Sequence, residues 1–126
     1  MDLRVRVFID EQGVDPAKEL DELDDVSVQI VAVDESGVIA TCRLRDIDDG
    51  DWKLERMVVE KRLRELGVGS TLLAGAEDEA RKSGAREMLL HAQRRAESFY
   101  ASNGYVAEGE TFLEAGIEHV RMRKAL

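Results

Sequence analysis

The chain is poor in proline, cysteine and histidine, with one Pro, one Cys and two His in 126 residues. A single cysteine excludes an internal disulfide and any cysteine-built metal cluster. Within a strand pattern Cys42 reads as a small buried apolar residue, and a reduced, cytoplasmic setting is the default expectation. The lone Pro16 leaves no proline-rich hinge. No apolar run approaches the ~18 residues of a membrane span, and no basic-then-apolar leader is visible. Basic residues are the minority, 18 against 27 acidic ones, for a net charge of −9. The imbalance is local: residues 1–51 carry 15 acids and 5 bases, and the remainder is close to neutral. Phosphate contacts need a basic face, so nonspecific nucleic-acid binding is disfavoured. The acidic half either attracts a cationic or amine substrate or is a solvated surface that aids solubility.

What is present suits one domain spanning 1–126, since 44% of the residues are hydrophobic. Residues 3–11 are ambiguous. Leu3, Val5, Val7 and Ile9 alternate as in a strand, yet Leu3, Val7 and Phe8 also share a helical face. Residues 15–25 are rich in acids around Leu20 and Leu23 and read as an exposed loop or short turn. A hairpin follows, with strands at 26–33 and 38–45 around the turn Asp34–Gly37. A third strand covers 52–59. Strict alternation puts Trp52, Leu54, Arg56 and Val58 on one face and Lys53, Glu55, Met57 and Val59 on the other. A helix over about 69–83 lines up Leu72, Leu73, Ala76 and Ala80, with Gly84 as its stop. Met88–Ala92 is a short buried strand, so strand, helix and strand form a right-handed parallel crossover. A helix at about 94–103 puts Ala96, Phe99 and Tyr100 on one face. Residues 105–108 and 117–124 close the sheet as an antiparallel pair. The expected class is α+β: a mixed sheet whose central parallel pair is joined by the main helix, with helices on both faces.

The segment Arg64-Glu65-Leu66-Gly67-Val68-Gly69 lies between the third strand and the main helix. Glycines there let the backbone curl and approach an anion closely. The amides of Val68, Gly69, Ser70 and Thr71 would point outward from a helix N-terminus, a phosphate site in waiting. Lys61, Arg62 and Arg64 add charge beside it, and Arg94 and Arg95 stand at the start of the next helix. A plain tight turn before a helix would use two glycines as well. The loop is not a P-loop, because no Gly-Lys-Ser/Thr follows, and it lacks the dinucleotide fingerprint.

Taken together, these residues resemble the GNAT N-acetyltransferase superfamily. Arg64-x-x-Gly67-x-Gly69 matches its acetyl-CoA motif. Gln93-x-x-Ala96-x-x-Phe99-Tyr100-x-x-x-Gly104-Tyr105 matches its downstream pattern, with Gln93 where Asn is common. Val7-Phe8-Ile9-x-Glu11-Gln12, Arg43-Leu44-Arg45, His91-Ala92-Gln93 and Phe112-x-Glu114-Ala115-Gly116-Ile117-x-His119 are similar to a bacterial and archaeal subgroup of poorly defined substrate.

The resemblance implies a GNAT fold and acetyl-CoA as cosubstrate, with no metal. Backbone at Met57, Val58 and Val59 would pair with the pantetheine arm. Arg64, Leu66, Gly67, Val68, Gly69 and Ser70 would hold the pyrophosphate, with Gln93 nearby, and the sheet would splay to admit the thioester. It also makes residues 3–11 the first helix, overriding the alternation. Too little chain then precedes that helix for a first strand, so the sheet is expected to lack that edge. An unpaired edge would favour a homodimer. Two departures stand in the loop: Glu65 replaces a common Gly, and Leu66 a common polar or basic residue. A carboxylate beside a pyrophosphate is unfavourable unless it turns to solvent.

Acetyl transfer to an amine needs a neutral amine, a polarised carbonyl, a stabilised leaving thiolate and alignment of the two substrates. Tyr100 is the candidate acid, because a phenol with a reference pKa of ~10 is protonated at neutral pH; the resemblance assigns that role to this position. The alternative is a core aromatic with a satisfied hydroxyl. Glu55 is the candidate base, directly or through water, unless Arg43 or Arg56 holds it in a salt bridge. His91 and His119 are alternative bases or structural residues. The amide of Val58 or Val59 would polarise the carbonyl. The expected reaction is therefore direct acetyl transfer to a small-molecule or protein amine. The rivals are a non-catalytic CoA-binding sensor or interaction module and a plain structural domain.

Overall fold

The computed structural model describes residues 3–11, 26–64 and 66–126. Seven strands form one sheet in the order β1-β2-β3-β4-β5-β7-β6. They are β1 (Arg4–Glu11), β2 (Val26–Asp34), β3 (Gly37–Asp48), β4 (Asp51–Val59), β5 (Glu87–Gln93), β6 (Val106–Glu114) and β7 (Ile117–Ala125). Among the described residues two α-helices accompany them: α1 (Val68–Lys82), between β4 and β5, and the short α2 (Glu97–Ser102), between β5 and β6. Among the described strands only β4 and β5 run parallel, as the crossover through α1 requires.

The N-terminal segment follows its alternation. β1 pairs antiparallel with β2 from Arg4↔Val33 to Glu11↔Val26, so the first helix implied by resemblance does not form at residues 4–11. The edge expected to lack a strand is covered by β1. Its approach to α1 depends on Gly75, where an added Cβ would lie 2.7 Å from Val5 Cγ1. The expectations for residues 15–25, for Gln12 and for Glu65 lie outside the described residues.

One buried cluster organises the fold. The helix stripe Leu72, Leu73, Ala76 and Ala80 is buried, and it packs with Ile30, Cys42, Leu44, Leu54, Met88, Leu90 and Met122 of the sheet. Tyr100 of α2 joins the same cluster. The two described helices therefore share one face of the sheet. Glu77 of α1 is 5% exposed. Its carboxylate accepts hydrogen bonds from Tyr105 Oη at 3.0 Å and Lys124 Nζ at 2.9 Å. This half-buried ion pair ties α1 to β7.

Both helices stop as their glycines predict. After α1, the Gly84 N–H donates to Arg81 O and the Ala85 N–H to Ala80 O. After α2, the Gly104 N–H donates to Ala101 O and the Tyr105 N–H to Tyr100 O. Gly84 and Gly104 sit at φ +93° and +95°, the left-handed geometry of a Schellman stop. At the second stop the apolar contact across the cap is Tyr105 against Tyr100, ring centroids 5.9 Å apart. The Phe-Tyr-x-x-x-Gly-Tyr spacing is thus a helix stop that anchors Tyr100.

Candidate active site

β4 and β5 are paired only from Asp51↔Glu87 to Lys53↔Leu89. Beyond Lys53 and Leu89 they part, opening a cleft of about 1050 Å³. The glycine loop, Tyr100 and the distal ends of β4 and β5 all line it.

β4 departs from strict alternation inside this cleft. Thr41 pairs with Val58 but Arg43 with Glu55, so β4 holds one extra residue there. Arg56 takes φ +56°, a left-handed bulge conformation. The bulge moves Met57 and Val59 to the core face with Trp52 and Leu54, where both pack against the buried cluster. Glu55 stays on the opposite face beside Lys53. Glu55 and Met57 therefore do not share a face, contrary to the strand reading.

The backbone of Val59 is turned to the cleft. The Glu60 N–H donates to Ile39 O at 2.8 Å, and alternate residues of a strand point their N–H and C=O to opposite sides. The next residue back, Val59, thus faces away from β3. Its carbonyl accepts from Arg64 Nε at 3.2 Å. An N–H in that position is available to an extended ligand or a carbonyl oxygen.

At the head of α1, Gly67 is the N-cap at φ +81° and no side chain caps the helix. The first-turn amides are left to the solvent side, as an anion site requires. Gly67, Gly69, Ser70 and Arg64 line the cleft, together with Met57, Val58, Val59 and Gln93. Two expected cofactor residues differ. Leu66 is exposed and does not line the cleft, and the Val68 side chain is fully buried in the core, leaving only its amide at the helix end. An added Cβ on Gly69 would meet the Phe99 ring at 3.1 Å, so glycine keeps the helix head close to α2. Of the neighbouring cations, Arg95 lines the cleft. Arg62 instead pairs with Glu60 at 2.7 Å, and Arg94 with Glu97 at 3.4 Å.

Tyr100 is 9% exposed, and its hydroxyl donates to Met57 Sδ at 3.5 Å. A thioether is a weak acceptor, so this bond is readily exchanged for a better one. Burial, with a smaller contribution from Cys42, pushes the phenol up to about 12. It stays protonated throughout the neutral range. Glu55 is held differently. Arg43 Nε donates to it at 2.8 Å and Arg45 Nε at 2.9 Å, with Lys53 Nζ at 3.9 Å. Burial opposes its charge, but the hydrogen bonds and charges of Arg43 and Arg45 outweigh burial and hold the carboxyl below its ordinary value. The salt bridge foreseen as an alternative is present, and it makes Glu55 a weaker proton acceptor than a free carboxylate.

His91, Glu114 and His119 also line the cleft. In the sequence Glu114 stands only in the Phe112–His119 pattern similar to the bacterial and archaeal subgroup, with no role attached. The available signal was the Glu-Ala-Gly-Ile turn, which brings residue 114 opposite residue 117 and within reach of His119. Among the described residues no group of His, Cys, Asp and Glu side chains is arranged to hold a metal ion.

This geometry agrees with the relatives. Residues 3–126 match the family model described as an acetyltransferase (GNAT) domain. The uncharacterized N-acetyltransferase YjcF of Bacillus subtilis is 40% identical over 97% of this chain and 87% of its own. A crystal structure of an acyl-CoA N-acyltransferase from Pseudomonas aeruginosa is 30% identical, with a TM-score of 0.70 over 87% of this chain and 77% of that one. A GNAT acetyltransferase of Elizabethkingia anophelis, solved with acetyl-CoA bound, shares the fold at a TM-score of 0.72 and 17% identity over 97% of this chain and 98% of that one. By fold and by sequence, this chain belongs to the GNAT acetyltransferase family.

Proposed function

We propose that the protein transfers an acetyl group from acetyl-CoA directly to an amine, without a covalent enzyme intermediate. The observation that carries this reading is the slot between β4 and β5, with the glycine-headed helix at its rim and a protonated phenol on its wall. The residues present fit the cosubstrate. The uncapped amides at the head of α1, with Arg64 and Arg95 beside them, suit a pyrophosphate. The outward backbone of Val59 offers an extended arm a strand edge to pair with, while the same alternation turns the Val58 backbone to β3. Acetyl-CoA supplies the activated thioester.

Tyr100 Oη gives its proton to the departing sulfur. Its raised pKa makes an isolated phenolate costly, so the phenol is restored in the same sequence by a proton that the acylated nitrogen sheds. The Val59 N–H polarises the carbonyl as charge builds on its oxygen. Glu55, ionised and held by Arg43 and Arg45, shapes the field on the acceptor side. The default acceptor is a small amine, with a protein lysine or N-terminus as the alternative.

The test is calorimetric titration with acetyl-CoA of the wild type and of Gly69→Glu, followed by thiol release with an amine panel. Micromolar binding that the variant loses, with amine-dependent thiol release, is the expected result. Binding without release would favour a non-catalytic CoA-binding module. A folded wild type that binds nothing would reduce the glycine loop to a turn.

A further inference from the structure

On the sheet face opposite the helices, the cleft carries an imidazole–carboxylate cluster. His91 lies on β5 just beyond Leu89, the last residue of that strand to pair with β4. Its Nδ1 is 3.1 Å from Glu114 Oε1. The other oxygen, Glu114 Oε2, lies 3.5 Å from His119 Nε2. His119 Nδ1 is 2.7 Å from the Ile117 carbonyl, which can only accept. A glutamate carboxyl, with a reference pKa of about 4.3, is ionised near neutrality, so Glu114 too is acceptor-only there. His91 Nδ1 is therefore the donor, and in the neutral ring the lone pair is on Nε2.

The ring is fixed from two sides. Phe112 packs edge-on against His91, centroids 5.0 Å apart, and lies nearly parallel to His119 at 6.0 Å. The two-residue turn Ala115–Gly116 has both φ angles positive, 53° and 77°, which sets Glu114 opposite Ile117. A carboxylate that holds one imidazole nitrogen, leaving the other basic and beside a cleft, is the arrangement of an oriented general base.

We propose that His91 Nε2 takes the proton from the acceptor amine, and that Glu114 is the positioning residue that sets the His91 tautomer. This rests on the acetyl-transfer reading above. Protons and electrons balance as follows. An ammonium acceptor gives one proton to His91 Nε2, and its freed lone pair forms the C–N bond. The C–S bond breaks with its electron pair on sulfur, which takes the Tyr100 proton. The nitrogen's second proton restores Tyr100, and His91 returns the first to solvent, so one proton is released per turnover. Charged groups facing His91 are Lys53 and Glu55 from β4, Glu114 from β6, and His119 and Arg121 from β7. Glu55 is bound by Arg43 and Arg45, and Arg121, opposite His91, is 3.1 Å from Glu108.

The chain has only two histidines, so long-range proton–nitrogen NMR reads each ring, with His119→Gln to assign them. The neutral His91 ring should carry its proton on Nδ1, and Glu114→Gln should shift it toward the other tautomer. Thiol release from acetyl-CoA with a panel of primary amines is measured alongside. His91→Gln should lose about 10²-fold or more in kcat/KM, together with the acidic limb of the pH profile. Its acetyl-CoA Kd should stay within about threefold, because imidazole–amine contacts act on the acceptor side. The limb should persist in Glu55→Gln. A neutral His91 protonated on Nε2, or a limb that survives in His91→Gln, overturns the base assignment while the transfer reading stands. A wild type that binds acetyl-CoA but releases no thiol to any amine sinks the transfer reading, and the base assignment with it.

Discussion

Glu55 and Met57, two residues apart on β4, point to opposite faces of the sheet, because Arg56 between them forms a bulge at φ +56°. The bulge sends Met57 to the phenol of Tyr100 and leaves Glu55 among Arg43, Arg45 and Lys53. One backbone irregularity thereby separates the Tyr100 side of the cleft from its charged side.

Glu55→Gln should lower stability at pH 7 by about 1.5–3 kcal/mol, the usual worth of a hydrogen bond to a charged group. The folded-state pKa of Glu55 lies below its unfolded value. Its contribution is therefore complete above the unfolded pKa of about 4.3 and fades as pH falls through the folded pKa. Denaturant unfolding of both proteins from pH 7 to pH 3 should show the difference narrowing at the acid end. A constant gap would mean that the ionised carboxylate is not what stabilises.

Tyr100→Phe should cut kcat by about 10²–10⁴, with acetyl-CoA affinity within about threefold of wild type. Among the described residues the hydroxyl bonds to the Met57 sulfur, a weak acceptor, so Tm should change little. Steady-state kinetics with calorimetry and a thermal melt check all three quantities. Unchanged turnover would remove Tyr100 from the chemistry.

Glu77→Ala should destabilise by about 1–3 kcal/mol, since it leaves the buried Tyr105 hydroxyl without its acceptor and removes the charged partner of Lys124, whose ammonium keeps its bond to Asn103 O. Replacing both ionic partners, Glu77→Leu with Lys124→Met, should recover much of that loss, because a packed apolar pair needs no compensating charge. Chemical denaturation of the single and double variants measures the difference.

Ala115→Gly should stabilise by up to about 1 kcal/mol, because a left-handed alanine costs roughly 1–2 kcal/mol and glycine's greater unfolded entropy offsets part of the gain. The turn holds Glu114 opposite Ile117, and the substitution keeps its geometry. The NMR tautomer of His91 should therefore be unchanged while the unfolding midpoint rises.

Much of this protein is written in local pattern. The Leu72, Leu73, Ala76 and Ala80 stripe predicts α1 and its buried side, and Gly84 and Gly104 mark the two helix stops. The alternation of Leu3, Val5, Val7 and Ile9 describes residues 4–11 better than the family likeness does. The glycines of the loop point to the cleft, and the family resemblance, not periodicity, adds Tyr100. These features were readable because helix period, strand period and left-handed glycine each act within a few residues.

Tertiary structure decided the rest. The Arg56 bulge is a mismatch of register between β3 and β4, and no property of β4 alone announces it. The partners of Glu55 lie on a neighbouring strand, at residues 43 and 45, and pairing with them lowers its proton affinity. His91, Glu114 and His119 come from three strands and meet only because β7 inserts between β5 and β6. A side chain's acidity, tautomer and freedom to act depend on charges and hydrogen bonds contributed by distant segments, and folding supplies those.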